Sequence, residues 1–161
     1  GPLIETEAKK ALVAPAEKQN VKYEEGALTE ILSQTEAYPY FLQEWGKHSW
    51  GCANNSPITR QDAMSATDLA ISELDASFFR VRFDRLTPTE KKYLRAMAEL
   101  GPGSHRSGDI AHLLNKEVQT VAPIRATLIR KGMIYSPSHG DNSFTVPLFD
   151  GYMKRVMSDW R

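Results

Sequence analysis

Apolar positions along the first half of the chain recur with helical spacing. Ile4, Ala8, Ala11 and Leu12 fall at i, i+4, i+7 and i+8, which predicts a first helix that Pro15 stops. After the polar stretch from Glu17 to Glu25, Leu28, Ile31, Leu32 and Thr35 form a second stripe. A third helix opens at Pro39, because proline lacks only an N–H that the first turn leaves unpaired anyway. Leu42, Trp45 and Ser49 share its face with Tyr38. Residues Gly51 to Pro57 read as a loop. Thr59, with Asp62 three residues on, forms an acidic variant of the capping box. Ala63, Ala66, Ala70, Ile71, Leu74 and Phe78 then continue as one long stripe. Four helices and no strand are expected before Leu86.

From Leu86 the pattern changes. Thr87-Pro88-Thr89-Glu90 is a helix start, with Thr87 as N-cap, Pro88 in the first position and Glu90 reaching back. Tyr93, Leu94, Met97 and Ala98 give that helix a buried face, and Gly101-Pro102-Gly103 ends it. Ser107 is placed to cap a short helix with Ile110, Leu113 and Leu114 inside. The next helix runs from about Gln119 to Lys131, with Val121, Ile124 and Leu128 inward and Gly132 just past its end. Residues 133–136 and 143–146 are short and β-prone, and Ser138-His139-Gly140-Asp141-Asn142 between them is turn chemistry. Leu148, Tyr152 and Val156 suggest a last helix.

The fold class is therefore mainly α: a four-helix bundle over residues 3–85, then a winged helix-turn-helix with a small β-hairpin wing over residues 86–161. Helix, short helix, tight turn, helix and hairpin is the element order of that fold. In its DNA-binding members the third helix enters the major groove and the wing touches the backbone. The free face of that helix here offers Gln119, Thr120, Thr127, Arg130 and Arg125, while Lys131 and His139 are placed to reach phosphates. Winged helices also act as rigid protein-docking or oligomerisation modules, and the same arginines then serve as solvated or acid-paired side chains.

Charge sharpens this choice only in part. The whole chain is neutral, with 20 Lys+Arg and 20 Asp+Glu among 161 residues. Residues 1–85 carry 9 basic and 13 acidic side chains, and residues 86–161 carry 11 and 7. The second part is thus the one suited to a polyanion. Hydrophobic residues at 41% and charged residues at 25% are a globular composition. No apolar run approaches a spanning helix, so no membrane partner is expected. The single cysteine, Cys52, and the lack of a signal peptide fit a cytoplasmic protein. Gly1-Pro2 has the look of a protease-cleavage scar, as in an excised piece of a longer protein.

A bundle joined to a winged helix resembles the C-terminal part of an AAA+-type P-loop ATPase. The phrases that carry the resemblance are Ala37-Tyr38-Pro39-Tyr40-Phe41-Leu42-Gln43, Ser56-Pro57-Ile58-Thr59, Phe78-Phe79-Arg80, Leu86-Thr87, Val121-Ala122-Pro123-Ile124-Arg125, Leu128-Ile129-Arg130-Lys131-Gly132-Met133-Ile134-Tyr135 and Phe144-Thr145-Val146-Pro147-Leu148-Phe149. Together they are similar to prokaryotic proteins of the archaeal-ATPase and STAND-like kind. In that family the lid covers nucleotide held by a preceding P-loop core. The resemblance implies adenine contact by Pro39, flanked by Tyr38 and Tyr40, once such a core is present. The family's glycine before that proline is Ala37 here, and Tyr40 stands about where relatives place the sensor-2 arginine. ATP or ADP with Mg would be cofactors of the parent protein and not of this piece.

No catalytic or metal role is assigned within the chain itself. It holds no G-x-x-x-x-G-K-[ST] and no acidic residue after an apolar strand to hold Mg²⁺, so the expectation is a non-enzyme fragment of a parent ATPase. His48, His105, His112, His139 and Cys52 show no zinc spacing. No G-x-S-x-G elbow occurs. Phe78 and Phe79, followed by Arg80, Arg82 and Arg85, are read as the junction between the two modules, and Trp160 as either docked on the winged helix or free.

Overall fold

The computed structural model of the chain describes residues 2–161, so only Gly1 of the Gly1-Pro2 pair lies outside it. The chain divides into two compact units between Ala76 and Ser77.

The first unit holds α1 (Glu5–Glu17), α2 (Glu25–Thr35), α3 (Pro39–Cys52) and α4 (Arg60–Ala76). Ala8, Leu12 and Ala16 bury one stripe of α1, while Ile4 and Ala11 stay exposed. Pro15 does not stop α1: it sits in the last turn, where one lost hydrogen bond leaves the helix running to Glu17. Pro39 opens α3 as expected, and Phe41, Leu42, Trp45 and Ser49 form its buried face. At the start of α4, Thr59 N donates to Asp62 at 2.9 Å and Asp62 N donates back to Thr59 Oγ1 at 3.1 Å. Buried Ala63, Ala66 and Ala70 then let α4 lie close against α2 and α3. The indole N–H of fully buried Trp45 donates to Thr67 Oγ1 at 2.9 Å, which fixes α3 along α4. A strand-like element was not foreseen here. Ile58 bridges Tyr23 in parallel, its N–H bonding Lys22 O at 2.8 Å and its carbonyl accepting from Glu24 at 2.9 Å.

The second unit comprises α5 (Phe78–Phe83), α6 (Pro88–Glu99), β1 (His105–Arg106), α7 (Ser107–Leu113), α8 (Val118–Arg130), β2 (Ile134–Tyr135), β3 (Asp141–Phe144) and α9 (Phe149–Val156). Phe78 does not extend the α4 stripe. The backbone turns at Ser77 (φ −131°, ψ −82°), and a separate short helix follows. Fully buried Phe79 meets Phe149 and Tyr152 at ring distances of 5.7 and 5.3 Å, so it belongs to this unit's core. Residues 77–85 thus group with the second unit, not with the first as a boundary at residue 85 would have it.

Capping fixes two helix ends in this unit, the start of α6 and the end of α8. Thr87 and Glu90 form both halves of the capping box, at 2.9 and 3.3 Å. Beyond α8, Gly132 takes φ +74°, its N–H bonding Ile129 O and the next N–H bonding Leu128 O, both at 3.0 Å. This is a Schellman stop. Ser107 does not cap α7. It is the first helical residue, and its hydroxyl donates to Gly140 O at 3.1 Å. The wing also has a strand more than expected: β1, β3 and β2 form an antiparallel sheet in that order, pairing His105 with Asn142 and Ile134 with Phe144. Trp160 docks back, with the Arg95 guanidinium 5.0 Å from its ring centre. Among the described residues no helix is long and apolar enough to cross a membrane.

Candidate nucleic-acid interface

The helix expected from the sequence to offer groove contacts is α8, whose Val121 and Leu128 are buried in the unit's core. Gln119, Thr120 and Arg130 are exposed and Thr127 half-buried, so the structure brings these four onto one helix. Arg130 donates from Nη2 to Thr127 Oγ1 at 2.9 Å, which orients the guanidinium along the helix. His139 is exposed in the turn between β2 and β3.

Two other candidates are turned to internal work. Arg125 donates to Asn142 Oδ1 at 2.9 Å and to the Asp141 carbonyl at 3.1 Å, tying α8 to β3. Lys131 donates to the Glu90 carboxylate at 2.6 Å and to Arg85 O at 3.0 Å. Burial pushes the Glu90 carboxyl up, but the bonds from Lys131 and from the Thr87 N–H outweigh that and hold it below its ordinary 4.5. Sequence spacing places both cations on the helix; the acceptors that engage them come from distant parts of the chain.

Beside the polar positions, Val118, Ala122, Ala126 and Ile129 are exposed at i, i+4, i+8 and i+11. Half of the outward face of α8 is therefore apolar.

Sequence reasoning missed the centre of this unit. Asn142 was read as turn chemistry, yet it is a strand residue with no exposed surface. Its Oδ1 accepts from Tyr93 Oη and Arg125 Nε, both at 2.9 Å. Its Nδ2 donates to His105 O at 3.1 Å and Ser107 Oγ at 3.0 Å. One amide thus joins α6, α7, α8 and β1. Burial pushes the Tyr93 hydroxyl up to about 12, so it stays a donor.

The suggested nucleotide contact lies in the first unit. Tyr38 is the N-cap of α3, its ring tilted on Phe41 at 4.9 Å. Pro39 occupies the exposed first turn, and Tyr40 is half-exposed with its ring edge-on to Phe41 at 6.3 Å. Ala37, where the resembled family has glycine, takes φ +56°. A separate groove of about 450 Å³ between α1 and α3 is lined by Leu12, Pro15, Tyr23, Leu42 and Trp50; Tyr38, Pro39 and Tyr40 do not line it.

Residues 76–153 match a family described as a domain of unknown function, DUF8462, a match that begins one residue before the second unit. No curated protein matches the chain. Among solved structures, one mutant of Thermotoga maritima RuvB is 14% identical with a TM-score of 0.43, covering 100% of this chain and 51% of that one. Another is 16% identical with a TM-score of 0.41, covering 98% and 49%. A structure titled as the T. maritima RuvB Holliday junction branch migration motor is 16% identical with a TM-score of 0.38, covering 94% and 47%. The chain spans about half the length of the structures it matches.

Proposed function

We propose that the chain is the lid and winged-helix portion of an ATP-binding protein of the AAA+/STAND-like kind, itself non-catalytic, and that its winged helix contacts duplex DNA. The observation that carries the DNA contact is the partition of charge along the two units. Residues 1–76 carry 6 basic and 12 acidic side chains, and residues 77–161 carry 14 and 8. The unit that presents an exposed α8 has a net charge of +6, which favours a polyanion. Gln119 and Thr120 at the start of α8 offer hydrogen bonds to base edges, and Arg130 and His139 offer phosphate contacts.

In the longer protein the Tyr38-Pro39-Tyr40 turn would face nucleotide on a P-loop core. Nucleotide can move the lid only if that turn contacts it better in one arrangement than in the other. Pro39→Ala in that protein is expected to weaken nucleotide binding; unchanged affinity rejects the lid role.

Fluorescence anisotropy with a labelled duplex tests the DNA contact directly. Arg130, the cationic one of these two contacts, implies affinity falling about threefold to fourfold between roughly 50 and 200 mM salt, and Arg130→Ala should flatten the log–log slope by about 0.9. No duplex binding at low salt removes this reading. The apolar stripe of Val118, Ala122, Ala126 and Ile129 favours a second one, a protein-docking or oligomerisation module, and a concentration-dependent size without DNA is the signature of the oligomer.

A further inference from the structure

Two carboxylates and an imidazole converge on the α3–α4 pair. Glu44 and His48 are at i and i+4 on α3, and Glu73 comes from α4. His48 Nε2 lies 2.6 Å from one Glu73 oxygen and 4.0 Å from a Glu44 oxygen. One ligand atom from each of the three falls within 4.8 Å of the others. The Glu44 and His48 side chains are 17% and 18% exposed, and Glu73 is 48% exposed. We propose that Glu44, His48 and Glu73 form a binding site for one divalent transition cation, Zn²⁺ fitting the donor set best.

The argument is geometric first. A tetrahedral Zn²⁺ with ligands at about 2.1 Å holds neighbouring donor atoms about 3.4 Å apart. The 2.6 and 4.0 Å separations straddle that value and the third is at most 4.8 Å, so side-chain shifts of about 1 Å each would close the site. The Trp45–Thr67 hydrogen bond already fixes the helix pair close to these ligands. Three protein ligands leave the fourth position to water.

Electrostatics agrees. Lys47 Nζ now sits 3.2 Å from Glu44 and 3.4 Å from Glu73, supplying one positive charge between two carboxylates. Its side chain is 57% exposed on a flexible stem, so it can leave as a doubly charged cation enters. Lys47 is then a competitor for the site, which an ordinary ion-pair network would not require. His48 would supply the nitrogen ligand, and its two carboxylate neighbours would balance the ion's charge.

Calorimetric titration of the chelator-stripped chain with ZnCl₂ tests this, with Co²⁺ visible absorption reporting coordination geometry and circular dichroism confirming that each variant is folded. One equivalent is expected to bind. His48→Ala and Glu73→Gln should each weaken it about a hundredfold, Lys47→Ala should tighten it several-fold, and His112→Ala should leave it unchanged. Absence of saturable binding by about 100 µM Zn²⁺ overturns the proposal. So does affinity that survives His48→Ala, or that fails to rise in Lys47→Ala.

Discussion

Asn142 shows how one polar residue can organise a small core. Replacing it by leucine removes two acceptor bonds and two donor bonds while leaving the Tyr93 hydroxyl and the Arg125 guanidinium buried or half-buried without them. The expected loss is about 3 kcal/mol, read from urea unfolding, against about 1 kcal/mol for Tyr93→Phe, which removes one donor. None of this was legible beforehand. An asparagine in a Ser-His-Gly-Asp run looks like a turn residue, and its partners stand at positions 93, 105, 107 and 125. Ala37 is the opposite case, since the expected glycine marks a real conformational demand. With φ +56°, Ala37→Gly should stabilise the first unit by about 1 kcal/mol in thermal melts. Ser49 Oγ is buried with no hydrogen-bond partner among the described residues, so Ser49→Ala should also stabilise that unit, by about 1 kcal/mol.

Three helix ends were readable because their chemistry is local. A capping box spans three residues and a Schellman glycine sits one residue past its helix, so Thr59, Thr87 and Gly132 announce their roles in the sequence. Long-range order was not: β1 is two residues long, too short for any alternation, and is defined only by Asn142 and Asp141 across from it. The break at Ser77 was hidden because Phe78 continues the α4 spacing, while Phe79 one residue on is what the aromatic core takes up. The α6 start also sets a pH dependence. The Glu90 carboxyl lies below 4.5 when folded, so the stability it contributes is complete above the ordinary carboxylate range and is lost as pH falls through the lowered folded value. Thr87→Ala, which removes one half of the box, should cost about 1 kcal/mol at neutral pH, and Glu90→Gln should flatten the acid limb of the stability profile measured by denaturant titration.

At the level of the whole chain, a total charge of zero conceals units of −6 and +6. Counting to residue 85 understates this contrast, because Arg80, Arg82 and Arg85 belong with the basic unit. The fold class was legible here, since helical stripes and one change of pattern suffice for a bundle and a wing. Each unit has its own buried core: Phe41, Trp45 and Leu74 in the first, Tyr93, Met97 and Phe149 in the second. A fragment of residues 77–161 is therefore expected to fold alone, with dispersed amide resonances and a cooperative melt. A disordered spectrum from that fragment would show that its core is incomplete.

Pro123 lies inside α8, where a ring replaces an amide proton and leaves the Gln119 carbonyl without its i+4 donor. The helix also begins at Glu117 without a side-chain cap bond. The opening turn of α8 is consequently held by fewer bonds than its Schellman-closed end. Amide protons ahead of the proline should exchange with deuterium sooner than those of residues 125–131, leaving an adaptable tip on a fixed stem.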